Sequence, residues 1–479
     1  MDDPRPQLPL TPMRLITWRS IGLGLLLAFT IALVTPYNDY VVNNSFVVGS
    51  YFPPVVTLGL FAFVLLVNGP LHRYAPRLAL SPGELAIALA MGLIACSIPS
   101  QGLFRQLIPL PVAPFHFLDR ADYHELFKSM RLSPWLWATD DYENGARARV
   151  VTAFYARLLP GEPLPWSSWV RPLLTWGVFA AMFLLALVSL ACLLRFQWTV
   201  NERLAFPIAQ LQGMLIAPPR AGRAFNDLFS SRGFWTATLF VVVVQSSAVL
   251  RLYFPAIVPP IPFGYDLTLI LAEEPWVRLQ PWLKANTIFF TLLGVSYFTA
   301  TRVSFSLWGT AVGLALLRWM IDPTAAYLPD AALADQQLGG GFVFLGGVLW
   351  IGRHHWAVIV RAMAGRGRAG DPQAAFVPYR IAGTAFVVGV VGMFVWLIVF
   401  GCSAWLAAAI VLMILMAHVL TARVVAETGL AFLRIAVPFD TLLRAAPPSL
   451  LTPRDAFLYG ASHYGYMQAA RESALVYTL

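Results

Sequence analysis

Arg423-Val-Val-Ala-Glu427-Thr428-Gly429 places a guanidinium and a carboxylate four residues apart, just before a glycine. At that spacing two side chains meet on one helix face. Beside a glycine break, Glu427 is the kind of carboxylate that carries a proton or holds a charged substrate group, with the Thr428 hydroxyl next to it. The same residues also read as a plain ion pair anchoring a helix end. Three other places set polar groups in apolar sequence. Asn38-Asp39-Tyr40, with Asn43, Asn44 and Ser45, runs on to Pro53-Pro54, and Asp39 is the sole formal charge between Arg19 and Arg73. An unwound helix there offers carbonyls and a carboxylate to a cation or a substrate amine; an outer loop of turn residues is the alternative. Pro99-Ser100-Gln101-Gly102 either breaks a helix with Gln101 facing a cavity or simply stops it. Gln245-Ser246-Ser247 follows four valines, and its amide serves a cavity or bonds a neighbouring helix. His418 lies nine residues before Glu427, about 180° around a regular helix. It is expected to be packed rather than to relay protons to Glu427.

The elements that must hold these groups are membrane spans. The chain has 479 residues, 58% hydrophobic and 12% charged, against about a quarter charged in soluble domains. Residues 381–422 contain no Asp, Glu, Lys or Arg. As helix that run is roughly 63 Å long, about twice a bilayer's hydrocarbon core. It reads as two spans turning at Gly401-Cys402-Ser403. Ten spans are expected, at about 15–35, 53–70, 84–98, 172–194, 234–251, 285–301, 303–320, 341–360, 381–400 and 404–422. Only Arg302 separates the sixth from the seventh. The fold class is all-α integral membrane protein, with broken or re-entrant segments and a small outer cap.

The net charge of +9 comes from 33 Lys and Arg, all arginine except Lys128 and Lys284, against 24 acids. The arginines sit at span ends and in short loops, a membrane-orientation pattern rather than a nucleic-acid surface. Arg5, Arg14 and Arg19, then Arg73 and Arg77, Arg195 to Arg232, Arg361 to Arg380, and Arg423 to Arg454 fall on one side if the N-terminus is inside. Loops 36–52 and 321–340 have no Arg or Lys and fall outside. Segment 99–171 is the basic exception, and long loops translocate regardless of charge. The organisation expected is 1–98 as three spans with outer loop 36–52, 99–171 as the cap, and 172–251 as spans four and five with an interfacial helix at 199–218. Spans six to ten follow in 252–422, and 423–479 is an inner C-terminal segment. Ala474–Leu479 reads as the start of another apolar helix, the pattern of a natural short form or a truncated chain. The cap's Trp135, Trp137, Trp166 and Trp169 suit the headgroup level.

Several strings occur together here: Thr35-Pro-Tyr-Asn-Asp-Tyr40, Ser81-Pro-Gly-Glu-Leu85, Pro109-Leu-Pro-Val-Ala-Pro-Phe115, Glu202-Arg-Leu-Ala-Phe-Pro207, Ser304-Phe-Ser-Leu-Trp308 and Arg423-Val-Val-Ala-Glu-Thr-Gly429. Together they resemble an uncharacterised family of bacterial multi-spanning membrane proteins, a domain of unknown function, over nearly the whole chain. That family is distantly similar to the oligopeptide transporter superfamily, whose members move peptides or metal chelates on a proton gradient. The resemblance implies transport and assigns no substrate.

Other motifs are weaker. Ser81-Pro82-Gly83-Glu84 and Thr199-Val200-Asn201-Glu202 have capping-box spacing, with Pro207 expected to kink the second helix. Gly365 to Gly370 matches GxGxxG but follows a span, not a strand. His116, Asp119, Asp122, His124 and Glu125 crowd ten residues of the cap without a recognised metal spacing, so a solvated loop is expected. Neither a nucleophile elbow nor a P-loop is present, and no cofactor or metal is implied. The leading expectation is a secondary transporter or permease-like protein of the bacterial inner membrane, N-terminus cytoplasmic, proton-coupled, taking a small molecule or peptide. The alternatives are a membrane-embedded enzyme or assembly factor for envelope or lipid-linked substrates, and a structural scaffold subunit.

Overall fold

The computed structural model describes residues 16–43, 46–99, 103–156, 158, 160–220, 222–258, 261, 264–321, 330–366, 377–433, 437, 439–467 and 473–479. Helix dominates them, as the unbroken apolar runs require. Among the described residues seven helices are long and apolar enough to cross a membrane: Trp18–Val42, Pro54–Tyr74, Trp166–Asn201, Arg232–Tyr253, Thr301–Ile321, Tyr379–Val399 and Ala404–Thr428. An eighth crossing is made if the pair Ala332–Ile351 and Arg353–Met363 is one span; it bends by 68° at Gly352, within the span expected at 341–360. The expected third span is the 15-residue helix Pro82–Cys96, roughly 22 Å long and short of a full hydrocarbon core.

The expected sixth span, 285–301, is not a helix of that length. Ala285–Thr287 pairs antiparallel with Gly264–Asp266, and Phe290–Ser296 makes two turns. Its apolar residues resemble a span in composition, but the strand pairing consumes the first turn's backbone groups, so no continuous helix forms.

The chain divides into two compact units. One holds 1–48, 52–96 and 209–261. In it the first helix is capped by Thr17, and Pro82–Cys96 by the expected box: Glu84 accepts the Ser81 N–H at 2.9 Å, while the Ser81 hydroxyl accepts the Glu84 N–H at 3.3 Å. Thr17 also donates to Glu84 at 2.6 Å, so one carboxylate ties two helix starts together. Asn68, buried, brackets Leu80 by accepting its N–H and donating to its carbonyl.

The second unit holds 49–51, 97–208 and 262–479. Its centre is the pair Trp166–Phe196 and Tyr379–Val399. A Cβ on Gly389 would lie 2.7 Å from the Met182 carbonyl, so glycine lets the two backbones touch. Trp396 donates to the Thr175 carbonyl at 3.0 Å and Trp176 to that of Leu136 at 3.1 Å, so both indole N–H groups are satisfied inside the core. The cap packs Phe115, Phe127, Trp137 and Tyr142 with Phe457 into one aromatic cluster.

Tyr379–Val399 and Ala404–Thr428 turn at Gly401, which takes φ +96°, as the sequence predicts. The C-terminal segment differs from expectation. Rather than staying beyond Gly429, it reaches back to the start and the middle of the 404–428 helix. Asp455 accepts the Ser403 N–H at 2.7 Å at one end. Eleven residues later Tyr466, and then Ser473, meet His418 four turns along that helix. The helix Pro453–Ser462 and its π-helical continuation His463–Met467 thus run alongside the span.

Candidate functional site

The 404–428 helix ends at Gly429, which adopts the left-handed cap conformation with φ +69°. A Cβ there would lie 2.6 Å from Pro207 and 2.8 Å from Val295, so glycine is needed for both conformation and space. Around this end three other segments converge within the same unit. Phe206 donates its N–H to the Ala426 carbonyl at 2.8 Å. Thr299 donates to the Thr428 carbonyl at 2.6 Å. Tyr51 donates its N–H to the Ala431 carbonyl at 2.8 Å.

The Phe206 segment explains Glu202. The Trp166–Phe196 helix widens into a π-helical turn at Gln197–Asn201 and then unwinds. Arg203 and Phe206 sit at φ +53° and +45°, a left-handed conformation costly for non-glycine residues. Helix resumes at Pro207, which starts it instead of kinking it, because proline's fixed φ and missing N–H suit a first turn. The capping box expected at 199–202 is therefore not formed. Glu202 instead turns its carboxylate to Arg423, with one oxygen on Arg423 Nη1 and the other accepting from Gln197 at 2.8 Å. Asn201 donates in turn to Gln197 at 2.7 Å.

Arg423 is the hub. Its Nε donates to Glu427, four residues on, and its Nη1 donates to Glu202. Its guanidinium lies 5.5 Å from the centre of the buried Trp198 ring. Arg423 and Glu202 side chains are 10% and 11% exposed, whereas Glu427 is 34% exposed. One cation thus faces two carboxylates in a low-dielectric setting, and Glu427 is the open side of the cluster. With both acids ionised the trio carries one net negative charge.

The remaining candidates fall elsewhere. Asn38 and Asp39 lie in the other unit, in a π-helical turn Tyr37–Val42 that continues the first span. The helix there widens rather than breaking. Asp39 is buried and accepts from Asn38 at 2.8 Å. Gln101 lies outside the described residues. Gln245 is exposed on its helix, not turned into packed interior. Thr428 is buried; its hydroxyl donates to the Val424 carbonyl at 2.7 Å and accepts the Leu430 N–H at 3.1 Å, fixing the chain past the helix end. His418 is packed as expected, 2.6 Å from Ser473 Oγ and 3.0 Å from the Tyr466 carbonyl.

Among the described residues no three His, Cys, Asp or Glu side chains group as metal ligands. In the cap, His116 stacks on Tyr155 at 3.8 Å and His124 lies 3.9 Å from Glu143. The Asp122 side chain is outside the described set.

Glu202 and Asp455 are the residues that sequence reasoning undervalues. Glu202 reads as a cap from its spacing, and its true partner is 221 positions away. Asp455 is not singled out at all, although Thr452-Pro453-Arg454-Asp455 has capping-box spacing. It closes that box and also accepts from Ser403, bonding two helix starts at once. Burial acts to raise its carboxyl, but the N–H and hydroxyl groups it accepts from Ser403 and Thr452 outweigh this and hold it below the usual carboxylate range.

The apolar helices and the bent pair define a multi-pass α-helical membrane protein whose environment is a lipid bilayer. Residues 11–479 match a family of unknown function, DUF6785. The chain belongs to that family. No curated protein and no solved structure matches it.

Proposed function

We propose that the protein is a proton-coupled secondary transporter or permease of the bacterial inner membrane, with its N-terminus cytoplasmic. The observation carrying this reading is the Glu202–Arg423–Glu427 cluster at the meeting of an unwound segment and a glycine-capped span end. Charged groups buried in spans are costly and pair with one another, and they characteristically mark ion and substrate paths. Helices interrupted beside them free backbone groups for a ligand. Glu427, the open carboxylate, is the proton or substrate-amine acceptor. Arg423 holds it in place, and Glu202 keeps the guanidinium engaged when Glu427 is protonated. The arginine distribution of the loops supports the orientation. The sequence resemblance to the oligopeptide transporter superfamily is what favours a peptide or chelate as cargo.

The test is uptake by the purified chain in proteoliposomes, using amino acids, short peptides and metal chelates with and without an imposed pH gradient. Gradient-stimulated uptake that is lost in Glu427→Gln supports the reading. Absence of uptake across all three classes counts against it and favours a scaffold.

A further inference from the structure

A groove of about 440 Å³ lies in the second unit between the cap and the helix Pro453–Ser462. One wall is Leu110, Ala113, Pro114 and Phe117, with Arg120 and Tyr123. The other is Ala456, Phe457, Gly460, Ala461 and Tyr464. The second wall follows from sequence. Positions 456, 460 and 464, with 457 and 461, recur every four residues and share one helical face. Three of those five are Ala or Gly, so the face is hollow.

The groove has a defined position. Asp455, one residue before this face begins, bonds Ser403 at the start of the 404–428 span. Tyr466, just beyond the face, bonds His418 well inside that span. The wall therefore runs alongside the first part of that span, from Ser403 to His418. The cap packs over the 457 end of this face through Phe127, and its Arg120 lines the groove. Its exposed Trp135, and Trp166 at the start of the neighbouring span, are the aromatic residues that mark the headgroup level.

The lining is apolar with few polar groups, and the volume falls in the ligand-pocket range of roughly 300–1,000 Å³. The sole cation lining it is Arg120, whose guanidinium lies 5.4 Å from the Phe117 ring centre. Among the described residues no carboxylate pairs with it. Tyr123 adds a phenol that burial pushes up to about 12, so it stays neutral and able to donate. An apolar trough leading from a guanidinium and a phenol matches one kind of molecule: an acyl chain ending in an anionic headgroup. We infer that this groove binds an anionic phospholipid, with its phosphate on Arg120 and an acyl chain along Ala456, Gly460 and Tyr464. This inference stands apart from transport and does not depend on the Arg423 cluster.

Native mass spectrometry of the purified full chain tests it, after exchange into neutral detergent and addition of phosphatidylglycerol or phosphatidylcholine. Wild type should retain phosphatidylglycerol over phosphatidylcholine by about fivefold, the preference expected of one interfacial arginine. Arg120→Gln should abolish the preference, and Ala456→Phe should fill the trough and reduce retention of both lipids. Equal retention of the two lipids by wild type overturns the proposal. So does a preference that survives Arg120→Gln, an exposed position where the substitution leaves the fold intact even if Ala456→Phe does not fold.

Discussion

Glu202 and Arg423, 221 positions apart in the chain, form a buried ion pair that joins the unwound end of one span to the glycine-capped end of another. Each is only about a tenth exposed, so the pair is far from solvent screening. Removing one partner leaves an uncompensated charge in low dielectric, the costly case. Arg423→Met should destabilise the protein by about 3–5 kcal/mol, read from detergent-solubilised thermal or denaturant unfolding. Adding Glu202→Gln in that background should recover part of the loss, because the orphaned carboxylate is gone. An Arg423→Met variant that unfolds like wild type would show that the pair is not formed.

Asp455 gives a pH signature. Its carboxyl is held below its ordinary value of 3.8 in the folded state. A depressed folded pKa stabilises above the unfolded value, and that stability is lost as pH falls through the folded pKa. Asp455→Ala should cost about 1–3 kcal/mol near neutrality, for charged hydrogen bonds lost at two helix starts. The difference from wild type should shrink once pH drops below about 4. A gap that stays constant from pH 7 to pH 3 would rule the linkage out.

Cys402 sits in the turn between the two spans. Burial pushes its thiol up to about 12, and the neighbouring Asp455 carboxylate adds to the shift. At pH 8 roughly one thiol in 10⁴ is ionised. Alkylation at Cys402, followed by peptide mass spectrometry, should be at least about 100-fold slower in the folded protein than after denaturation. Equal rates would contradict the packed turn.

Gln245 is the informative negative. The sequence sets it among apolar residues, as a cavity amide would be, yet the folded helix leaves it exposed. Gln245→Ala should change stability by no more than about 0.5 kcal/mol and leave uptake unaltered. Loss of uptake in this variant would place the pathway along the 232–253 helix.

Local features were legible in the sequence. Ser81 to Glu84 caps a helix, Gly401-Cys402-Ser403 turns a hairpin, and Arg423 pairs with Glu427, because each depends on residues within a turn or two of one another. What was not legible depends on partners far along the chain. The 285–301 stretch has a span's hydrophobicity, and only its pairing with 264–266 shows that it is not one. Glu202 has a cap's spacing, and only the fold brings Arg423 to it. Hydropathy fixes which residues avoid water but not which end of a helix a returning segment meets. For that reason the approach of Asp455 to Ser403, and of Tyr466 and Ser473 to His418, was not anticipated.

The central claim is that the Glu202–Arg423–Glu427 cluster couples protons to transport. The most direct measurement follows internal pH in proteoliposomes of the full chain, under an inward proton gradient, while the amino-acid, peptide and chelate library is added. The account predicts substrate-dependent acidification in wild type that is abolished by Glu427→Gln. Acidification in Glu427→Gln equal to wild type, or none in wild type with any of the three classes, would contradict it.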